Sequence, residues 1–217
     1  MVTNYKFVRM IRQGCVLGAL LVAGAGSAAA APFTNGSFEL GSVNPGGGWT
    51  TLSSGNPAIT GWEIFDGTVD YIGGYWQAAD GSRSVDLNGN DGSAGIRQTF
   101  DTIAGDTYQI RFALAGNPDG APLTKSVQLT SGGASQLFSF TIPPGASHAD
   151  MGWAYHSLLF TATADSTTLS FLSNTAGVYF GPAIDDVSVT AVPEPATLSL
   201  VALGLVAGAR NRLRRRR

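Results

Sequence analysis

From Thr107 to Leu114 the chain reads Thr-Tyr-Gln-Ile-Arg-Phe-Ala-Leu, with an apolar or aromatic side chain at every second position. On an extended backbone successive side chains point to opposite faces. Tyr108, Ile110, Phe112 and Leu114 therefore face inward together, while Gln109 and Arg111 face out. Similar short runs recur at Ile59–Phe65, Thr68–Ile72, Arg83–Leu87, Gly95–Phe100, Ser126–Thr130, Gln136–Ile142, Trp153–Thr163, Thr168–Leu172 and Ile184–Thr190. No window sustains a helical period. The runs are separated by turn chemistry such as Asp66-Gly67, Asn88-Gly89-Asn90-Asp91-Gly92, Asn117-Pro118-Asp119-Gly120 and Pro143-Pro144-Gly145. Gly and Asn accept positive φ there, and Pro presets its own. About ten short strands at this spacing predict an all-β fold, a jelly-roll β-sandwich. Gly41–Gly48 reads as a loop, and no internal repeat is present. In the last run, strict alternation puts Asp185 on the face of Val187 and Val189, with Ile184 and Asp186 opposite. If the valines are core, Asp185 enters the core too, where a carboxylate needs a counter-charge or a metal to stay ionised.

The two ends of the chain have a different composition. Lys6, Arg9 and Arg12 precede an apolar run, Val16 to Ala23, and the small residues Ser27-Ala28-Ala29-Ala30-Ala31. That order is a secretory signal peptide, residues 1–30, with cleavage after Ala30. Cys15 lies ahead of the apolar run, without the neighbours of a lipid-attachment box, and leaves with the signal. The exported part then has no cysteine, hence neither disulfide nor thiol nucleophile. The whole chain has a formal charge of −2, but residues 31–192 carry four basic residues against fourteen carboxylates, a formal −10. Such a domain does not bind nucleic acid by neutralising phosphates, and cations suit it better as partners.

At the other end, Pro193-Glu194-Pro195 interrupts regular structure. Ala196 to Ala209 follows without a charge, and six arginines close the chain between Arg210 and Arg217. As a helix the apolar piece spans about 21 Å at 1.5 Å per residue. That is short against a hydrocarbon core of about 30 Å, and the arginines stay cytoplasmic by the positive-inside rule. Residues 193–217 closely resemble the PEP-CTERM sorting signal of exported proteins in Gram-negative bacteria that make exopolysaccharide. The resemblance implies transient membrane insertion through the C-terminal helix and recognition by an exosortase that cleaves near Pro193, Glu194 and Pro195. It places the mature protein in the cell envelope, at the cell surface or in the extracellular matrix. An ordinary tail anchor with a basic stop is the alternative.

Residues 31–192 are one domain's worth of chain. Asn35-Gly36-Ser37-Phe38-Glu39 near its start and Gly181-Pro182-Ala183-Ile184-Asp185-Asp186-Val187-Ser188-Val189 at its end resemble the bracketing signature of galactose-binding-like jelly rolls, a fold shared by several carbohydrate-binding modules. The interior segments Gly61-Trp62-Glu63-Ile64, Trp76-Gln77-Ala78-Ala79-Asp80-Gly81-Ser82-Arg83, Ala115-Gly116-Asn117-Pro118 and Met151-Gly152-Trp153 are similar to the bacterial choice-of-anchor C family, itself related to a plant cell-wall family of unknown function. The relatives imply a structural Ca2+ where first and last strands meet, held here by Glu39 and Asp185. The alternative is that Glu39 caps a turn and Asp185 accepts backbone N–H bonds.

A sugar ring has an apolar C–H face and a rim of hydroxyls, so a binding site needs an aromatic platform beside planar polar groups. Tyr75, Trp76 and Gln77, just after Gly73-Gly74, form one candidate platform. Trp153 and Tyr155, alternating on a long strand, form another. Each of these aromatics can equally be core. Catalytic signals are weak. Asp185 and Asp186 are adjacent, and Asp66 and Asp70 flank a turn without further support for the two-carboxylate geometry of glycoside hydrolysis. Ser147-His148-Ala149-Asp150 lists triad residues in one turn, whereas triads assemble from distant segments. His148 and His156 lack metal-ligand spacing. The sequence therefore points to a non-catalytic exported sandwich that associates with extracellular polysaccharide. A purely structural surface protein is the second reading, and a glycan-active hydrolase the third.

Overall fold

The computed structural model describes residues 32–177 and 179–193; the segment expected to be a signal peptide, residues 1–30, and the apolar, arginine-ended tail lie outside the described residues. Thirteen strands follow one another: β1 Trp49–Ser53, β2 Glu63–Phe65, β3 Thr68–Ile72, β4 Ser84–Asp86, β5 Asn88–Gly89, β6 Gly92–Ser93, β7 Gly95–Asp101, β8 Thr107–Gly116, β9 Thr124–Ser131, β10 Ala134–Thr141, β11 Ala154–Thr161, β12 Ser166–Ser173 and β13 Pro182–Ala191. Six form one sheet in the order β1-β3-β4-β13-β8-β11. Five form the other, β10-β9-β12-β7-β2, and β5-β6 is a separate short hairpin. Every pairing is antiparallel. The architecture is the jelly-roll sandwich that the alternation predicts.

The core lies between the sheets and is made by that alternation. Val69, Tyr71, Val85, Ile110, Phe112, Leu114 and Ile184 enter from the six-stranded sheet, all essentially without exposure. Ile96, Val127, Leu129, Leu169 and Phe171 meet them from the other. Phe112 stands edge-on to Phe171 and Phe138, with centroids 5.0 and 5.2 Å away, an arrangement that favours the ring quadrupoles. Each such side chain, fully buried, contributes roughly 1.5–3 kcal/mol, which a cysteine-free domain needs.

Three departures from the sequence pattern have local causes. Trp49–Ser53 is a strand although only Leu52 of its five residues is buried, so it carries almost no alternation signal. The expected Ile59–Phe65 strand shrinks to Glu63–Phe65, because Gly61 takes φ +83° and Trp62 N–H turns back onto the Ile59 carbonyl. His156, on the outward-exposed β11, packs its ring on Phe112 and Phe138 with a buried Nε2 that has no partner, and burial lowers its pKa.

The last strand departs most. Its register against β8 runs Asp185↔Ala113 and then Ser188↔Arg111, so one extra residue is inserted. Asp186 absorbs this bulge at φ +43°. The bulge reverses the parity: Ile184 and Val187 are both buried on the core side, and Asp185 points to the outer face of the sheet. The expectation that Asp185 shares the face of Val187 and Val189 is therefore corrected. The N-terminal Asn35–Glu39 segment docks at this same bulge. Val187 N–H donates to the Gly36 carbonyl at 2.9 Å, and a Cβ on Gly36 would lie 1.7 Å from the Val187 carbonyl oxygen. Asn35 fixes the turn by donating to the Leu40 and Thr60 carbonyls, and fully buried Phe38 accepts the Tyr71 hydroxyl on its carbonyl. The two bracketing motifs thus form one structural unit.

Gly36→Ala removes the space in which this unit docks. It should lower the melting temperature by roughly 2–12 °C, taking overpacking at roughly 1–3 kcal/mol and roughly 2–4 °C per kcal/mol for a domain of this size. Gly47→Ala, where an added Cβ meets nothing within 4 Å, should leave it unchanged in the same thermal melts.

Candidate functional site

Because Val69, Tyr71, Val85 and Ile184 face the core, their neighbours Asp70, Asp86 and Asp185 face outward from the six-stranded sheet. All three are nonetheless buried, with 7, 0 and 0% exposure. Loops cover them, and their carboxylates hold those loops down. Asp185 accepts the N–H groups of Ala79 and Asp80 on Oδ2, at 2.7 and 3.0 Å, and that of Asp186 on Oδ1. Glu39 takes the other end of the same loop. Its Oε1 accepts Ser82 N–H and Arg83 N–H, and its Oε2 accepts the Ser82 hydroxyl. Calcium collects oxygens, six to eight of them. Glu39 and Asp185 instead meet donors, so these residues as arranged do not fit the calcium cage. They fit the alternative, a turn cap and an acceptor of backbone N–H bonds.

Asp86 organises the next part of the surface. Its Oδ1 accepts Asn88 N–H and Gly181 N–H at 2.9 and 3.0 Å, and its Oδ2 accepts Asn117 Nδ2 at 2.8 Å. Asn117 passes the restraint on, donating to the Tyr179 carbonyl and accepting Asp119 N–H. Behind these loops Lys125, fully buried, donates Nζ to the Gly120 and Phe180 carbonyls. Burial pushes its pKa down, with Asp86 opposing. The turn segments 88–91, 117–120 and 179–181 are thereby fastened to one place on the sheet.

Between them opens a pocket of about 290 Å³, close to the lower end of the ~300–1,000 Å³ of small-ligand sites. Its rim is aromatic. Trp49 and Tyr179 are each about half exposed, and Tyr75 packs against Trp49 with centroids 4.6 Å apart. The Tyr75 hydroxyl donates to Asp119 Oδ2 at 2.8 Å, and His148 packs against the same Tyr75 ring and donates Nε2 to Asp119 Oδ1 at 2.7 Å. Asp70, Asn90, Asn117 and Asp119 supply polar groups to the lining, beside Ile72 and Phe180. Asp70 Oδ1 accepts the Thr51 hydroxyl at 2.6 Å.

The five residues expected as a sugar platform divide between two places. Tyr75 lines the pocket rim. Trp76 lies beneath it at 4% exposure, its Nε1 donating to Ser84 Oγ, so it is a buried wall and not an exposed platform. Gln77, Trp153 and Tyr155 lie around a more open depression of about 380 Å³ with Asp150 and Gly152. There Trp153 Nε1 donates to the Gln77 carbonyl. The Tyr155 ring is covered by the Arg111 guanidinium at 3.5 Å and its hydroxyl donates to Asp186. Both aromatics are thus engaged within the protein, although Tyr155 is as exposed as Trp49 and Tyr179, and the first pocket is the one that gathers several rings beside several polar side chains. Trp49, Tyr179, Asp70, Asn90, Asn117 and Asp119 belong to it without having been singled out together. The available signals were a tryptophan straight after Gly46-Gly47-Gly48 and two Asn-bearing turns.

The carboxylates weighed for hydrolysis do not form a pair across a cleft. Asp66 stands exposed at the β2–β3 turn, whereas Asp70 is buried against Thr51. Asp185 is fastened to the loop, and Asp186 meets Arg111 and Tyr155. His148 pairs with Asp119 rather than with Ser147 or Asp150, whose backbones form a small bridge.

Residues 31–190 match the model of the family described as "Protein of unknown function (DUF642)", and residues 191–217 match the PEP-CTERM protein-sorting motif. That motif marks the chain as an exported, exosortase-processed protein of the cell surface. Halomucin of Haloquadratum walsbyi (strain DSM 16790 / HBSQ001) is 29% identical over 164 residues, 74% of this chain. The chain spans only 2% of the length of that relative. Among solved structures, the chain is similar to TmCBM61 in complex with β-1,4-galactotriose, at 14% identity and a TM-score of 0.44, covering 74% of this chain and 97% of that one. It is also similar to CBM35 from Paenibacillus barcinonensis, at 19% identity and a TM-score of 0.41, covering 66 and 99%.

Two measurements follow from the buried carboxylates. Burial raises the pKa of Asp86 to about 8 and that of Asp185 to about 7, and raises that of Asp70. In each case the folded form holds its proton to a higher pH than the unfolded chain, whose carboxylates titrate near 3.8. Stability is therefore greatest near the unfolded value and falls as pH rises through the folded values. His156 and Lys125, whose pKa values burial lowers, act in the opposite direction. The melting temperature should fall by several degrees between pH 5 and pH 8.5; a flat or rising profile would contradict this account. Chelation with EDTA should leave it unchanged, since Glu39 and Asp185 are satisfied by N–H and O–H donors; a drop would return calcium to that loop.

Proposed function

The chain belongs to the DUF642 family, and from that premise we propose that this exported cell-surface protein binds extracellular polysaccharide, without catalysis, through the pocket rimmed by Trp49, Tyr75 and Tyr179. The organism would be a Gram-negative exopolysaccharide producer, and exosortase the processing partner. The observation that carries the reading is the coexistence of two half-exposed aromatic rings with four planar polar side chains, Asp70, Asn90, Asn117 and Asp119, in a pocket about 290 Å³ in volume. The rings offer apolar faces to sugar C–H groups. The carboxylates and amides offer planar acceptors and donors to the hydroxyl rim.

The chemistry required is recognition only. The turns that carry Asn90, Asn117, Asp119 and Tyr179 are fastened to Asp86 and Lys125, so the polar groups are set before the ligand arrives. Such preorganisation lowers the cost of binding, because few side chains remain to be ordered. The tail fixes where this happens. Once processing at the Pro193-Glu194-Pro195 motif separates the apolar segment, the acidic sandwich is retained at the surface through the polysaccharide it holds.

A glycan array probed with the purified full chain in detergent tests the reading. Trp49→Ala and Tyr179→Ala should each weaken binding about tenfold, about 1.4 kcal/mol, with the melting temperature kept. Trp153→Ala should leave binding unchanged, because its indole is engaged with Gln77 outside the pocket. Absence of binding to any glycan would favour a purely structural surface protein, and release of shorter sugars on incubation would favour a hydrolase.

A further inference from the structure

Of the three buried acids on the outer face of the six-stranded sheet, two are satisfied and one is not. Asp86 and Asp185 each engage both carboxylate oxygens with N–H donors. Asp70, 93% buried, has only the Thr51 hydroxyl on Oδ1, and its Oδ2 carries no hydrogen bond. Asp70 is also the one of the three that lines the pocket.

The Oδ2 acceptor is not sealed from solvent, so a donor can reach this otherwise largely buried carboxylate from the pocket side. The protein supplies none. No lysine or arginine lines the pocket. Lys125, the nearest buried cation behind it, has its ammonium committed to the carbonyls of Gly120 and Phe180. The second carboxylate of the lining, Asp119, is shared between Tyr75 and His148 and adds negative charge. Asp86 lies directly across the strand pair from Asp70, and its carboxyl oxygens are already taken by the N–H groups of Asn88, Gly181 and Asn117, so it offers Asp70 no donor. The missing complement is a cationic donor, small enough to enter beside two aromatic rings.

We propose that Asp70 is the specificity-determining residue of the pocket and that it receives the protonated amine of an amino sugar, so that the site prefers glycans with free amino groups and rejects those with carboxylate, sulfate or phosphate groups. This rests on the glycan-binding reading given above. Any donor to the carboxylate makes a charge-assisted bond, and an ammonium adds the attraction of opposite charges to it. A ring hydroxyl at the same position is therefore the weaker ligand. An N-acetylated amine, equally uncharged, has no such advantage, and an anionic sugar meets Asp70 and Asp119 with like charge.

The test is calorimetric titration of the full chain with matched oligosaccharides: a glucosamine oligomer, its N-acetylated form, the corresponding glucan and a polyuronate oligomer. The titrations are run in about 0.3 M salt, where the Debye length is under ~8 Å and the general acidity of the domain is screened. The amine form should bind about tenfold tighter than the glucan, and the uronate should give no heat. Asp70→Asn, nearly isosteric, should remove the preference for the amine while the glucan still binds. Asp165→Asn, at an exposed turn, should change nothing and so controls for charge alone. Equal affinity for amine and glucan, binding of the uronate, or a preference that survives in Asp70→Asn overturns the proposal while leaving glycan binding in place. Absence of binding to all four overturns both.

Discussion

The surface of this sandwich depends on carboxylates that hold loops against a sheet. Asp86 is the central one, with no exposed surface and three N–H donors converging on it from Asn88, Asn117 and Gly181. Burying an acid is unfavourable, which is why its pKa is driven up to about 8. What the burial achieves is convergence: three segments remote in sequence are fixed to one point, and each brings a wall of the pocket. Lys125 does the complementary work from behind, with one ammonium holding the carbonyls of two of those segments. Removing either group would leave buried polar partners unpaired, three N–H donors in one case and two carbonyls in the other. Asp185 and Glu39 repeat the device one loop away. They grip the 79–83 segment from opposite sides with N–H bonds alone.

That division of labour explains what the sequence disclosed. Period-two alternation is a local property, and it located the interior strands because Ile110, Phe112, Leu114, Leu169 and Phe171 lie between two sheets. It failed at Trp49–Ser53, where the strand lies at the edge of its sheet with a single buried residue. It failed again at the bulge. One extra residue inverts every later face, and only Asp186, a residue type that tolerates positive φ, hinted at it. Asn88 to Gly92 was legible as a hairpin turn because Asn and Gly carry the turn chemistry themselves.

The site was less legible than the fold for a related reason. Trp76 and Trp49 look alike as residues, and nothing local says which is covered. Trp76 is buried because its indole reaches Ser84 beneath the 73–83 loop, whereas Trp49 starts an edge strand after three glycines. The lining comes from the ends of β1 and β3, the loops after β3 and β8, the β5–β6 turn and the approach to β13. No window of sequence contains more than a fragment of it. The bracketing motifs, by contrast, were visible as motifs but not as a mechanism. Their joint role is the contact of Gly36 with Val187 at the bulge.

The strand that carries the bulge also joins the two functional ends of the molecule. β13 begins at Pro182, next to Gly181, whose N–H is held by Asp86 at the pocket. It ends at Ala191, where Val192 N–H donates to the Thr107 carbonyl just before Pro193. Ten extended residues cover roughly 33 Å. The sorting motif therefore leaves the sandwich at the opposite end of the sheet from Trp49, Asp70 and Tyr179, with no linker between the last paired residue and Pro193. The pocket proposed to take a glycan and the point where the chain reaches Pro193 thus stand apart along β13.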